Sequence, residues 1–595
     1  MLALLLLIVP LCPLALAAPS QILLHDAFEA QVSAPDPLPD PSHLIFASFV
    51  GLLKQWPNTY YPNGHSVVLG TVPPGTLLYH ARKDDNFPPK IEWLAFDAEM
   101  SYGIMSGRGG ETQLLTYAAN RPLRIIYLDG QSAALGESGW LDTQSVLIYG
   151  NVTNDRSWGF SEYARAEALC KLGDAWGFDG VVRMNAGFEL LYCDFGGAGL
   201  DLQSRINVTD PYSEPGMGFP APPDSPYILS SIISSRELRG HPPYPLQDPA
   251  GPKYPERPPH GGGSHPPGRR RPRGRPSTSP FASSSIWEWQ RSSTWHYIKA
   301  ERRVLLDYST FVTFYDPVVR SLARTRLETG TDNNRAKQRL LGIDDKEAGR
   351  MSQHVREALR EKNVRGWGTR EAGTGVEWMS IAESIVERYG GRLEELNYAM
   401  RESNGTTSQQ GQSGPRGNST SRAVDVRRLS YFLMFPYLDM AHYSNTSTKW
   451  MNSSLPLCQN AFTRSSFVKH THLSPNEKLL QFSIEGVLGR ICSKIITIFG
   501  ESLLIGLPWK LHEVSPDPEA LEHRAKVATK RWREELTDLL DWLGWSVEMK
   551  CDRICAPDEI CQIPVWPLVA RPGGRWGGGE GKELESPVCV SFPAR

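Results

Sequence analysis

The sequence has almost no net charge and no long apolar segment beyond its first residues. Its 63 basic and 65 acidic residues leave a formal charge of −2, whereas nucleic acids and anionic membranes favour strongly basic surfaces. The most apolar later stretch, Phe482–Leu507, contains Glu485, Arg490 and Lys494, which is typical of a buried core segment. We therefore expect no nucleic-acid partner and no membrane span.

Several catalytic motifs are also missing. The chain has no Gly-x-Ser-x-Gly nucleophile turn, no His-Glu-x-x-His metal helix and no Gly-x-x-x-x-Gly-Lys-Ser/Thr phosphate loop. Carboxylates are plentiful, but no spacing pairs two of them for glycoside chemistry. The common hydrolase, metalloprotease and nucleotide-hydrolysis signatures are thus excluded.

The N-terminus predicts export. Met1–Ala18 has an apolar core at Leu4–Val9 and a small-x-small cleavage pattern at Ala15–Ala17. The alternative is a transmembrane anchor, but the apolar run is short and is interrupted by Pro10 and Pro13. We expect a secreted protein with a signal peptide at residues 1–18.

Sequons and cysteines agree with an oxidising compartment. Six Asn-x-Ser/Thr sequons are glycosylation candidates: Asn151, Asn207, Asn404, Asn418, Asn445 and Asn452. Removal of the signal also removes Cys12 and leaves an even set of disulfide candidates: Cys170, Cys193, Cys458, Cys492, Cys551, Cys555, Cys561 and Cys589. Cys170 and Cys193 would join a helix to a hairpin, or remain two buried thiols. The last six cysteines favour three disulfide bridges over a zinc site, and the sequence does not show which cysteines are paired.

Composition divides the mature chain into an α+β domain, a disordered Pro/Gly/Arg-rich linker, a helical region, a low-complexity linker and a helical, cysteine-containing C-terminal region. These parts are residues 19–207, 208–285, 286–402, 403–424 and 425–595. The Arg269–Arg275 run in the first linker is a solvated segment or a processing site. The fold class is therefore α+β, with an antiparallel-sheet domain followed by a mainly helical half.

Within the α+β domain, short runs of β-branched and aromatic residues predict strands at Leu77–His80, Trp93–Phe96, Arg121–Asp129 and Val146–Tyr149. Ser161–Trp176 is typical of a helix. Asp179–Met184 and Phe188–Phe195 predict a hairpin across Asn185–Gly187. Farther on, helices are predicted over Trp295–Tyr315, Trp378–Leu396 and Glu519–Trp545.

Three of these pieces resemble the ADP-ribosyltransferase fold. In that family a first strand ends in a histidine that holds the nicotinamide ribose of NAD, as Leu77–His80 does here. Trp93, on the second strand, and Tyr102, on the following helix, are similar to its aromatic nicotinamide contacts. Glu189 stands where a late-strand glutamate acts on the ribose. The resemblance implies NAD as cofactor, His80, Trp93 and Tyr102 as cofactor-binding residues and Glu189 as catalytic residue.

A second resemblance covers more of the chain. The signal peptide and several motifs are similar to a group of uncharacterised secreted proteins of filamentous fungi; the motifs are Leu77–His80, Glu92–Asp97, Arg121–Gly130, Gly187–Phe195, Phe311–Pro317 and Glu387–Glu394. It implies a multi-domain exported protein and no known activity. Our leading expectation is thus a non-catalytic, surface- or wall-associated secreted glycoprotein without a cofactor, with a cell-wall or extracellular partner. The alternative is NAD-dependent ADP-ribosyl transfer or NAD hydrolysis.

Overall fold

The computed structural model describes residues 38–106, 110–134, 139–152, 162–211, 280–367, 374–401, 417–444, 447–465, 472–508, 515–546, 550–551, 553–563 and 587–591. The predicted signal peptide, most of the first linker with its Arg269–Arg275 run, Asn404 and Asn445 lie outside these residues. Within them no helix combines the length and apolarity needed to cross a membrane.

A mostly antiparallel sheet is the centre of the fold. Its strands are β1 Ser66–Val72, β2 Leu77–Arg82, β3 Glu92–Ala95, β4 Gln113–Ala119, β5 Leu123–Leu128, β6 Gly180–Met184, β7 Phe188–Tyr192, β8 Leu200–Asn207, β9 Leu305–Leu306 and β10 Val312–Thr313. They lie in the order β10-β1-β5-β6-β7-β3-β2-β4-β8, and β9 also pairs with β1. Only β5 and β6 are parallel among the described strands, and a separate two-stranded sheet pairs β11 Glu559–Gln562 with β12 Val588–Ser591.

Helices cover both faces of the sheet. They are α1 Ser42–Val50, α2 Gln55–Tyr60, α3 Ala98–Ser106, α4 Asp142–Tyr149, α5 Glu162–Trp176, α6 Pro280–Ser293, α7 Arg320–Glu328, α8 Asp345–Arg365, α9 Trp378–Ala399, α10 Ser419–Met434, α11 Ser454–Gln459, α12 Pro475–Leu504 and α13 Pro518–Leu543. Leu78, Leu94 and Leu190 face a core shared with α1, α9, α10, α12 and α13. Val181 and Leu191, on the opposite face, pack against α4, α5, α7 and α8. The architecture is the expected α+β class.

The β6–β7 hairpin confirms the turn predicted at Asn185–Gly187. The backbone amide of Asn185 donates to the Gly187 carbonyl at 3.0 Å. Gly187 is required by a close approach rather than by a left-handed backbone, because a Cβ there would lie 2.8 Å from the sulfur of Met100 on α3. The hairpin and α3 are therefore packed directly together.

Two local predictions were wrong. Val146–Tyr149 is the end of helix α4, whose Val146 and Leu147 are buried against the sheet. Trp295–Tyr315 is not a helix but a chain of short turns that contributes β9 and β10 to the sheet. A run of four residues such as Val146–Tyr149 suits either a strand or a helix turn. In both places tertiary packing overrides the local preference.

Four disulfides pair all the cysteines of the described residues. Cys170 of α5 is bonded to Cys193, just after β7. Cys458 of α11 is bonded to Cys492 of α12. Two more bridges, Cys551–Cys561 and Cys555–Cys589, hold the small β11–β12 sheet. The first bridge thus joins a helix to the main sheet, and the second joins two helices of one core.

Candidate functional site

The three strands that carry the predicted NAD residues are neighbours in the sheet. His80 is on β2, Trp93 on β3 and Glu189 on β7, in the order β7-β3-β2. Tyr102 is half-buried on α3, whose Met100 packs with Ala95 of β3. The chain therefore brings these elements together as expected.

The strand register, however, separates His80 from Glu189. Tyr79 pairs with Ala95, and Ala95 pairs with Glu189, so these three side chains share one face. Side chains alternate along a strand, which places His80 on the opposite face. Trp93 pairs with Leu191 and so lies on the Glu189 side. The register therefore places His80 and Glu189 on opposite faces of the sheet, with Trp93 on the face of Glu189.

Glu189 belongs instead to a buried ionic network under the sheet. Arg183, only 1% exposed, pairs with Glu189 in the β6–β7 ladder and donates to its Oε1 at 2.7 Å. The same guanidinium donates to Glu162 of α5 and, at 3.2 Å, to Gln144 of α4. Burial raises the pKa of Glu189, and Arg183 opposes that rise. The carboxylate is therefore held by an internal partner rather than presented to a ligand.

His80 is buried on the other face, near Arg82 and Glu92. Its Nδ1 is 2.7 Å from the Trp93 carbonyl, and burial followed by the charge of Arg82 lowers the pKa of His80 to about 4. Glu92 is fully buried; burial raises its pKa to about 8, although Arg82 Nη1 is 3.7 Å away. No described residue hydrogen-bonds His80 Nε2 or either Glu92 oxygen. These pKa shifts favour the neutral form of both side chains at pH 7.

Tyr102 does not contact His80 or Trp93 through any described interaction. Burial, and then the negative charge of Asp210, raise the pKa of Tyr102. Its helix α3 is covered by α6, where Trp289 completes a small cluster with Ala95, Met100 and Ala186. Tyr102 is therefore a phenol at the α3 surface near Asp210.

A second charged cluster, which sequence analysis missed, lies where β3 ends. Asp97, His296, Glu301 and Arg303 form it, and we call it the Asp97 cluster. Arg303 Nη2 donates to Asp97 Oδ1 at 2.8 Å and to Glu301 Oε2 at 2.6 Å. His296 Nε2 lies 3.1 Å from Glu301 Oε2 and 3.7 Å from Asp97 Oδ2. Asp97 and Glu301 are 6% and 1% exposed, so two carboxylates are buried around one imidazole.

The cluster is held rigidly by its surroundings. Arg303 also donates to the Phe96 carbonyl and lies 5.5 Å above the Phe96 ring. The Glu301 amide donates to the Leu53 carbonyl at 2.9 Å, and Leu53 is the sole non-glycine with a positive φ, 57°, among the described residues. Such a conformation in a branched residue is costly and persists only where the packing imposes it. Burial opposes ionisation of Asp97, but contacts with His296 and Arg303 hold its pKa below the usual value.

A polar pocket of about 170 Å³ lies elsewhere, between α1, the 332–335 loop and the end of α13. Its aromatic rings already have protein partners. His43 is 4.4 Å and the Arg490 guanidinium 4.3 Å from Trp542, and the Arg335 guanidinium is 4.3 Å from Tyr61. The pocket therefore presents mainly amide and carboxylate groups, from Asp332, Asn333, Asn334 and Asp541.

Comparison with known proteins matches the N-terminal region. The family described as the YPL277C N-terminal domain matches residues 38–109 and 103–225. The uncharacterized protein YPL277C of Saccharomyces cerevisiae is 33% identical over 229 residues, which is 31% of this chain and 46% of the relative. The uncharacterized protein YOR389W of the same yeast is 34% identical over 227 residues, 31% of this chain and 36% of the relative.

The chain thus spans less than half the length of these two relatives. No solved structure matches it. The matched residues contain β1 to β8, hence His80, Glu92, Asp97, Arg183 and Glu189. Over its N-terminal region, the chain is homologous to the fungal proteins YPL277C and YOR389W.

Proposed function

We propose that the protein is an exported, N-glycosylated protein that acts by binding at the cell surface or in the wall, and that it belongs with multi-domain secreted proteins of filamentous fungi. One observation carries the proposal: all eight cysteines outside the predicted signal peptide are in disulfides. Structural disulfides persist in oxidising compartments and are rare in the cytosol.

The sequons support the same compartment. Asn151, Asn207, Asn418 and Asn452 are all exposed, as an oligosaccharide acceptor must be. Asn151 and Asn452 follow or precede helices, Asn207 ends β8, and Asn418 precedes α10. Glycans at these positions would project from the surface without entering either core.

A binding role is favoured over the NAD reaction for a geometric reason. The reaction needs His80 and Glu189 within reach of one ribose, and the β2-β3-β7 register places them on opposite faces. Glu189 is moreover engaged by Arg183. These positions favour a structural role in the sheet for both residues.

The test is expression of the full chain in a fungal host with its own N-terminus. We expect the protein in the medium or in the detergent-extractable wall fraction, a mass loss on enzymatic deglycosylation, and no alkylation of Cys170 or Cys193 before reduction. A chain lacking residues 2–18 is the matched control and should remain in the cell. Intracellular retention of the full chain, with alkylatable thiols, would refute the proposal.

A further inference from the structure

The Asp97 cluster gathers one imidazole and two carboxylates whose donor atoms, on Asp97, His296 and Glu301, all lie within 4.8 Å of one another. We propose that these three side chains bind one divalent transition-metal ion, and that Zn²⁺ is the ion. Mixed nitrogen and carboxylate donors suit zinc, which commonly takes three protein ligands and leaves a fourth position open.

Two of the three donor spacings are close to those around a tetrahedral ion. Zinc bonds of about 2.0–2.1 Å place adjacent tetrahedral ligands roughly 3.3–3.4 Å apart. The His296 Nε2 to Glu301 Oε2 distance is 3.1 Å and the His296 Nε2 to Asp97 Oδ2 distance is 3.7 Å, values that bracket this spacing. His296 Nε2 is buried, and no described residue forms a properly directed hydrogen bond with it. The imidazole therefore presents a nitrogen to the carboxylates at ligand distance.

Charge also favours a cation here. Asp97 and Glu301 bring two negative charges into a buried position, and Arg303 supplies one positive charge. One negative charge remains uncompensated, which favours the binding of a cation. Arg303 contacts Oδ1 of Asp97 and leaves Oδ2 facing His296, and it also donates to Glu301 Oε2 at 2.6 Å. It thus orients a carboxylate as the outer partners of metal ligands do.

The position of the cluster gives the ion a structural consequence. Asp97 follows β3 in the N-terminal part of the chain, and His296 and Glu301 follow α6, about 200 residues later. The His296 side chain is 14% exposed and Arg303 34%, so the site can be reached from solvent on that side. A bound ion would tie the segment after α6 to the end of β3, in addition to the Arg303 ion pairs.

The test uses the full chain without a polyhistidine tag, stripped with EDTA and titrated with ZnCl₂ by calorimetry and thermal unfolding. We expect one Zn²⁺ per chain and a rise in the unfolding temperature. His296→Ala and Asp97→Asn should each weaken the affinity by about 100-fold or more, since even outer partners of a metal contribute about 10–100-fold. His296→Gln keeps a polar side chain and serves if the alanine variant does not fold.

Two control variants separate the site from its surroundings. His523→Ala removes an exposed histidine of α13, and Asp179→Asn removes a carboxylate that pairs with Arg121 and Arg124. Both should bind Zn²⁺ as the unaltered chain does. Equal Zn²⁺ binding by the His296 variants, or no binding by the unaltered chain, would overturn the proposal. Tighter binding of Mg²⁺ than of Zn²⁺ would overturn the assignment of the ion.

Discussion

Arg183 and Glu189 pair across the β6–β7 hairpin and form a 2.7 Å ion pair beneath the sheet. Both side chains are buried, and Glu162 shares the same guanidinium. Removal of one partner from a buried ion pair leaves the other charge uncompensated and commonly costs about 3–5 kcal/mol. The pair is therefore a sensitive probe of what this network contributes.

We expect Glu189→Gln to lower the free energy of unfolding by about 3 kcal/mol, the low end of that range, because Glu162 still neutralises Arg183. Arg183→Met should cost more, since it leaves the carboxylates of Glu162 and Glu189 without the cation that they share. Urea unfolding measures both. Asp194→Asn, at an exposed position next to the Cys170–Cys193 disulfide, is the control. It should change the free energy of unfolding by no more than about 0.5 kcal/mol. A smaller loss for Arg183→Met than for Glu189→Gln would show that the arginine is not the centre of the network.

Glu92 predicts a specific pH dependence. Burial raises its pKa to about 8, so the folded state binds a proton more tightly than the unfolded state does. Stability from this group is then fully present below the unfolded pKa and is lost as pH rises towards 8, by at most about 1.4 kcal/mol per pH unit. Asp129, whose pKa is raised to about 6, loses its contribution to stability at lower pH than Glu92 does.

His80, whose pKa is lowered to about 4, has the opposite effect on stability: its contribution falls as the pH drops below about 6.5. The interval from pH 6.5 to 8 lies above the folded-state pKa values of His80 and Asp129, and the difference between the unaltered chain and Glu92→Gln over that interval reports Glu92. Over that interval we expect the stability of the unaltered chain to fall and that of Glu92→Gln to fall much less, as measured by urea unfolding at each pH. Parallel curves for the two proteins would mean that Glu92 is already ionised in the folded state.

The sheet was largely predictable and the site was not, for one physical reason. Strands such as Leu123–Leu128 can be predicted from their β-branched and aromatic residues, which lie between a proline and a glycine. The register between β2, β3 and β7 has no such local signal, yet it decides that His80 and Glu189 point to opposite faces. Residue order along the chain could place the two side chains on neighbouring strands but not on one face.

The Asp97 cluster shows the same limit over a longer distance. Asp97 is one carboxylate among many in the sequence, and Arg303 lies 206 positions away. The turn-rich segment that carries His296 and Glu301 was predicted to be helical. Its true path follows from pairing with β1, which only the folded chain reveals.

The Cys170–Cys193 bridge should contribute measurably to stability. It closes a loop with a sequence separation of 23, for which the chain-entropy estimate is about 3 kcal/mol. We expect Cys170→Ala with Cys193→Ala to lower the free energy of unfolding by about that amount in urea. The matched pair Cys551→Ala with Cys561→Ala removes a bridge of the small β11–β12 sheet and should leave the unfolding of the main sheet nearly unchanged. An equal loss in both double variants would contradict this division.

Asn418 is both a glycosylation candidate and a helix cap, and substitutions there can separate the two effects. Its side-chain oxygen accepts a hydrogen bond from the Ser421 amide at 3.0 Å and caps α10, whereas a glycan would be attached through the amide nitrogen. We expect Asn418→Asp and Asn418→Ala to lose the same glycan mass. Only Asn418→Ala should lose about 1 kcal/mol, because aspartate retains the capping oxygen.

Mass spectrometry and urea unfolding of the secreted chains measure the two effects separately, and the same variants made in a host without N-glycosylation complete the comparison. In that host the glycan difference disappears while the stability difference between Asp and Ala should persist. If both variants lose stability only when the parent chain is glycosylated, the sugar rather than the cap stabilises the start of α10. If the Asp–Ala difference persists in the absence of any glycan, the cap acts through Asn418 Oδ1 whatever compartment the chain reaches.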